Sequence, residues 1–204
     1  MVTLFLDIET LPPEDRDTWL ADFSDLVSTK RGESEEDARE RCYRDTSFDG
    51  TFGRTFCIGY AKEPPSDAPL EVLSGEEREM LREFWELARD VELFVADNVF
   101  HFDLRFLYQR SVICGVEPTK FLSFQRYRSQ PIFDTLREWT KWDTRQFVKL
   151  DVLARALGLP SPKEQMSGAE VYDYWLDGRH EEIKEYCKGD VEVLRQVYRR
   201  MTFT

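Results

Sequence analysis

The sequence predicts an α/β fold, a mixed sheet with antiparallel front strands and parallel back strands, flanked by helices. Three observations predict it. The opening stretch MVTLFLDIET is apolar at Val2, Leu4, Phe5, Leu6 and Ile8, so both faces of an extended segment are apolar, as in a strand covered on both sides in the middle of a sheet. The two β-rich segments TFGRTFCIGYAKE and LEVLSG are separated by a short turn containing Pro64 and Pro65, which suits antiparallel neighbours. Beyond residue 74, helical and strand patterns alternate, which suits strands added in parallel through helical crossovers.

Between the first two strands lie about forty charged residues, 11–50, with Pro12-Pro13 near their start. Ser34 stands before a run of helix formers, so part of this acidic insertion is expected to be helical and to sit over the tip of the first strand. A fully solvated excursion fits the same composition. Ser74 is expected to cap the helix in GEEREMLREFWELARD, where Met80, Leu81, Phe84, Leu87 and Ala88 recur at helical spacing. VELFVADN reads as the fourth strand, ending at Asp97-Asn98, and FHFDLRFLYQRSVICGV as the helix after it. A loop from Gly115 to Gln130 leads to a short strand ending near Asp134, then to an amphipathic helix in KLDVLARALGL closed by Gly158 and Pro160. Helical stretches around 169–176 and 180–201 complete the chain. The expected organisation is one domain over 1–204.

Composition narrows the function. With 204 residues, 41% hydrophobic and 14% aromatic, the chain can bury a core of its own. No apolar run approaches the roughly 20 residues of a spanning helix, and no signal peptide is read. Cys42, Cys57, Cys114 and Cys187 lack any C-x-x-C spacing, which argues against structural zinc and for reduced thiols. The expected location is the cytoplasm. The net charge of −12 would ordinarily argue against a nucleic-acid partner, yet residues 101–155 carry 10 Lys and Arg against 6 Asp and Glu. Phosphate contacts are therefore expected there.

Asp7 and Glu9 share one face of the first strand because side chains alternate along it. Like charges at a strand tip repel, and a divalent cation is one compensation. Taken alone, a solvated Asp-x-Glu fits as well. Asp103 falls in the first turns of the helix after the fourth strand, at the strand ends where ligands of open α/β sheets gather. Tyr186 and Asp190 lie four apart on the last helix, so they share a face that is otherwise apolar. In KFLSFQRYRSQ, Arg126, Tyr127 and Arg128 interleave cations and an aromatic, the chemistry of a single-strand groove. An aromatic loop tucked into the core has the same composition.

FLDIET, NVFHFDLRFL and YCKGD, in this order, resemble the three motifs of the DEDD superfamily of 3′-to-5′ exonucleases, tyrosine-type, with the RNase H-like fold. The likeness is to stand-alone relatives of the proofreading domain of family-B DNA polymerases; IFDTL and LGLPSPKEQMSGAEV extend it over most of the chain. The resemblance implies a nuclease that removes nucleotides from single-stranded DNA or RNA 3′ ends by two-metal hydrolysis, DNA being favoured. It implies Asp7, Glu9, Asp103 and Asp190 as ligands of two Mg²⁺ or Mn²⁺ ions, with Asp7 bridging and Tyr186 orienting the attacking water. Thr10, Asn98 and Phe102 would hold the terminal nucleotide, although Phe102 suits core packing equally. Asp134 and Lys163 are weaker motif-like candidates. One departure stands out: the family often has His before the motif-two Asn, where this chain has Asp97. A polymerase or repair partner would act in trans, and no membrane partner is expected. The competing reading is a non-catalytic nucleic-acid-binding or regulatory module that keeps the fold.

Overall fold

In the computed structural model, which describes residues 1–160 and 166–204, the strands are β1 (Thr3–Leu11), β2 (Arg54–Glu63), β3 (Glu71–Ser74), β4 (Leu93–Ala96) and β5 (Ile132–Asp134). They form one sheet in the order β3-β2-β1-β4-β5. β1 runs antiparallel to β2, and β2 to β3, whereas β4 joins β1 in parallel and β5 joins β4 in parallel. The antiparallel front and parallel back are thus as the sequence indicates. β1 is central, and Leu4, Phe5, Leu6 and Ile8 are each no more than 3% exposed, which explains the lack of polar alternation along it.

The helices are α1 (Arg16–Asp22), α2 (Glu35–Asp45), α3 (Glu77–Ala88), α4 (Asp103–Cys114), α5 (Thr135–Thr140), α6 (Leu150–Ala156), α7 (Val171–Leu176) and α8 (His180–Thr202). Ser34 caps α2, its hydroxyl accepting from the Asp37 amide. The cap of α3 differs from expectation. It is Glu76, whose carboxylate accepts from the Glu79 amide, because Ser74 is still paired with Cys57 in the sheet. α3 and α4 are joined in the interior by Trp85 Nε1, which donates to Ser111 Oγ at 2.7 Å, and by the Arg110–Glu77 ion pair at 2.8 Å.

The acidic segment is anchored to the strand tip as well as partly helical. Thr10 Oγ1 donates to the Ser47 carbonyl at 2.6 Å, and the Tyr43 hydroxyl donates to the Pro13 carbonyl at 2.6 Å. Trp19 packs against Tyr43 and Phe52, giving the segment a small aromatic core. Arg44 reaches Asp173 on α7 at 2.7 Å.

α8 covers the β1 face that carries Phe5, Asp7 and Glu9. The Phe5 ring meets Tyr198 edge-on at 5.3 Å, and Cys187 lies against Asp7. The approach depends on a glycine. The Gly59 amide of β2 donates to Cys187 Sγ at 3.2 Å, and a Cβ at Gly59 would lie 2.8 Å from that sulfur and 3.2 Å from the Cys187 carbonyl carbon and oxygen. Backbone at that distance has little room to yield. Gly59→Ala is therefore expected to lower the unfolding free energy by about 1–3 kcal/mol, measured by denaturant titration. A loss below about 0.5 kcal/mol would show that the helix can move aside.

Candidate active site

Three elements bring the acids together. β1 presents Asp7 and Glu9 at its C-terminal end, where a register irregularity follows between Glu9 and Thr10. α4 begins at Asp103, in the first turn where free amides favour a carboxylate. α8 presents Tyr186 and Asp190 one turn apart. Side chains from all three line one cleft of about 600 Å³, together with Thr10, Asn98 and Phe102. Glu9, Asp103 and Asp190 are 7%, 3% and 6% exposed, so the charges are held largely out of water.

The turn that delivers Asp103 is held from beneath by Asp134. This buried carboxylate caps α5 by accepting from the Arg137 amide at 3.0 Å, and it accepts from the Asn98 and Phe100 amides at 3.1 and 3.3 Å. Asn98 sits in the left-handed region at φ 56°, which Asn tolerates better than most residues. Asp134 thus supports the β4–α4 turn rather than lining the cleft.

The electrostatics follow from burial and crowding. Loss of water pushes the Asp103 carboxyl up to about 8, and the Asp97 and Asp134 charges push the same way. Asp97 is therefore an added negative charge beside Asp103; its carboxylate accepts from Thr135 Oγ1 at 2.5 Å. Burial also raises the Tyr186 phenol far above its ordinary value, followed by the charges of Asp190, Glu9 and Asp7, and its hydrogen bond to Asp190 adds to this. The phenol is consequently a proton donor at neutral pH and no base.

Cys187 is part of this arrangement, and the sequence reading missed it. Ligand-capable atoms of Asp7, Glu9 and Cys187 all lie within 4.8 Å of one another. Asp103 and Asp190 face the same cleft outside that triangle. Burial, then Cys57, then Asp7 and Glu9 raise the Cys187 thiol, so it stays protonated and donates to Asp7 at 3.4 Å to the carbonyl and 3.5 Å to Oδ2. It serves as a brace for Asp7, and the donors left for an ion are hard carboxylate oxygens, which suit Mg²⁺ or Mn²⁺. Lys149 at the start of α6 also lines the cleft. Its signal in the sequence was a lone cation ahead of an amphipathic helix, indistinguishable from a surface Lys.

The remaining candidates divide. Thr10 lines the cleft, but its hydroxyl proton is committed to Ser47. Phe102 lines the cleft and also packs on Phe106 at 5.6 Å. Arg126 lines a neighbouring pocket instead, the Tyr127 ring lies tilted against Trp142, and Arg128 is exposed on the same loop. Lys163 lies outside the described residues.

A mixed sheet in this order, with acids at the tip of its central strand, defines an RNase H-like α/β protein. Residues 68–204 match the family described as a predicted 3′-5′ exonuclease related to the exonuclease domain of PolB, and the chain belongs to that family. Asp103, Tyr186 and Asp190 fall inside the matched stretch, whereas Asp7 and Glu9 precede it. Among curated proteins no match is found. No helix of the described residues is long and apolar enough to cross a membrane.

The raised Asp103 carboxyl has a consequence for stability. In the native state it keeps its proton above pH 3.8, where the unfolded chain has lost it, so its contribution is full in acid and fades as pH rises towards about 8. In EDTA, Asp103→Asn is expected to raise the melting temperature above neutrality and to flatten the decline between about pH 5 and about pH 8. Superimposable melting profiles for parent and variant across that range would contradict the assignment.

Proposed function

We propose that this protein is a metal-dependent 3′-to-5′ exonuclease hydrolysing phosphodiester bonds of single-stranded nucleic acid, as one RNase H-like domain with the acidic segment 11–50 folded over its site. The observation that carries the reading is the meeting of Asp7, Glu9, Asp103, Tyr186 and Asp190 in a single cleft. Family membership supports the reaction class, and the relation to a polymerase exonuclease favours DNA over RNA.

The residues fit two Mg²⁺ or Mn²⁺ ions: the donors are carboxylates, mostly buried, drawn from three elements, and their mutual repulsion is relieved by positive charge. Asp7, Glu9, Asp103 and Asp190 would hold them. Bound divalent ions supply water activation and charge neutralisation at the leaving 3′ oxygen. The chain itself supplies orientation. Tyr186, protonated and hydrogen-bonded to Asp190, directs its phenol towards the acid pair of β1 and positions the attacking water. Lys149 brings positive charge to the scissile phosphate, and Asn98 and Phe102 hold the terminal nucleotide by amide and ring. Cys187 keeps Asp7 in place.

The test uses 5′-labelled single-stranded DNA and RNA with Mg²⁺, Mn²⁺ or EDTA. Products shortening stepwise from the 3′ end are expected with either ion, fastest on DNA, and are abolished by EDTA and by Asp7→Ala. Tyr186→Phe is expected to lower turnover about 10²-fold while strand affinity in EDTA stays within about twofold, because the phenol acts on the water and not on the strand. Hydrolysis that survives both EDTA and Asp7→Ala would overturn the reading; so would binding without hydrolysis under every metal condition.

A further inference from the structure

Beside the acidic cleft opens a second pocket of about 430 Å³, and His101 lines both. Its walls combine the two chemistries a nucleotide needs. Phe100, Phe124 and Trp142 supply aromatic faces, with Phe100 5.1 Å from Trp142 and 6.3 Å from Phe124 between ring centroids. Arg105 and Arg126 supply cations, and neither forms an ion pair with any described residue. In a chain of net charge −12, where most guanidinium groups are engaged by carboxylates, these two line an aromatic pocket without one.

The rings are held at some cost. Trp142 and Tyr127, whose centroids lie 5.1 Å apart, both have left-handed backbones, at φ 65° and 64°, a region unfavourable for bulky residues. Phe121, which lines the pocket, is 82% exposed, so the rim offers an apolar ring to solvent; Tyr127, against Trp142, is 73% exposed. Strain of this kind persists where surrounding structure enforces it and concentrates at binding sites. The acid cleft and the cationic pocket are thus adjacent, with His101 in the wall they share.

We propose that this pocket takes an unstacked base of the substrate strand, upstream of the bond being cleaved, with Arg105 and Arg126 on the flanking phosphates. It rests on the exonuclease reading and adds to it a fixed point of contact outside the catalytic cleft. Base stacking on aromatic faces tolerates every base, so the pocket would select for single strands rather than for sequence, since a paired base cannot enter. The two guanidinium groups argue for a polyanion as the occupant over an apolar peptide.

The test is an abasic scan. Single-stranded DNA carrying one abasic site, moved a nucleotide at a time from the 3′ end, is bound to the full chain in EDTA so that no cleavage occurs. One interior position is expected to weaken binding about tenfold. That positional penalty is expected to disappear in Phe124→Leu, which keeps apolar volume while removing the π-face, and Arg126→Ala is expected to reduce the slope of log affinity against log salt by about one. Equal affinity for every abasic position overturns the proposal, as does a penalty that Phe124→Leu leaves untouched. Free dAMP filling the pocket as tightly as the strand does would make it a mononucleotide site and overturn it too. Hydrolysis of the unmodified strand in Mg²⁺ is read separately, so loss of the pocket and loss of the exonuclease activity are distinguishable.

Discussion

Carboxylates gathered out of water repel one another, and the folded chain has to hold them against that repulsion. Glu9, Asp103 and Asp190 are nearly buried, and Asp7 stands beside Glu9 on one strand face. The structure meets this demand with rigid supports. β1 is fixed by neighbours on both edges and by apolar packing on both faces. α8 is drawn against the sheet at Gly59, where Cys187 can reach both the Gly59 amide and Asp7. Asp134 ties down the turn that delivers Asp103. On the proposed function, that stored repulsion would favour a hard cation, since positive charge relieves every member at once.

The same constraint orders the electrostatics around the cleft. Most of the excess negative charge sits in residues 1–100, and the segment 101–155 is net positive. A strongly acidic protein would repel a nucleic acid at long range, so the approach has to be local. Arg105, Arg126 and Lys149 stand at the cleft and its neighbour, within reach of a phosphate already near the site. The acidic helices over the strand tip are pinned by Thr10, Tyr43 and Arg44.

Legibility in the sequence followed periodicity. β1 was readable because two-sided burial leaves an unbroken apolar run, and Tyr186 and Asp190 shared a face because helical spacing fixes it. Asp103 was placed by the general position of ligands at strand ends. What lies between elements was not readable. The Gly59–Cys187 contact depends on how closely one helix approaches one strand, and a buried cysteine with no motif gives no sign of its neighbour. The cap of α3 was misread because Ser74 is a good cap in isolation, while its pairing with Cys57 commits it to the sheet. Arg126 was read as a substrate contact, yet the sequence could not separate a wall of the catalytic cleft from a pocket beside it.

The central claim is that these acids from three elements form one divalent-cation site. The most direct measurement is anomalous diffraction at the manganese edge from crystals of the full chain soaked in Mn²⁺. The account predicts two peaks in the cleft, each within ligand distance of carboxylate oxygens and together contacting Asp7, Glu9, Asp103 and Asp190, at about 3.5–4 Å from one another. Peaks elsewhere, or an Asp190 turned away from the ions bound by Asp7, would contradict it.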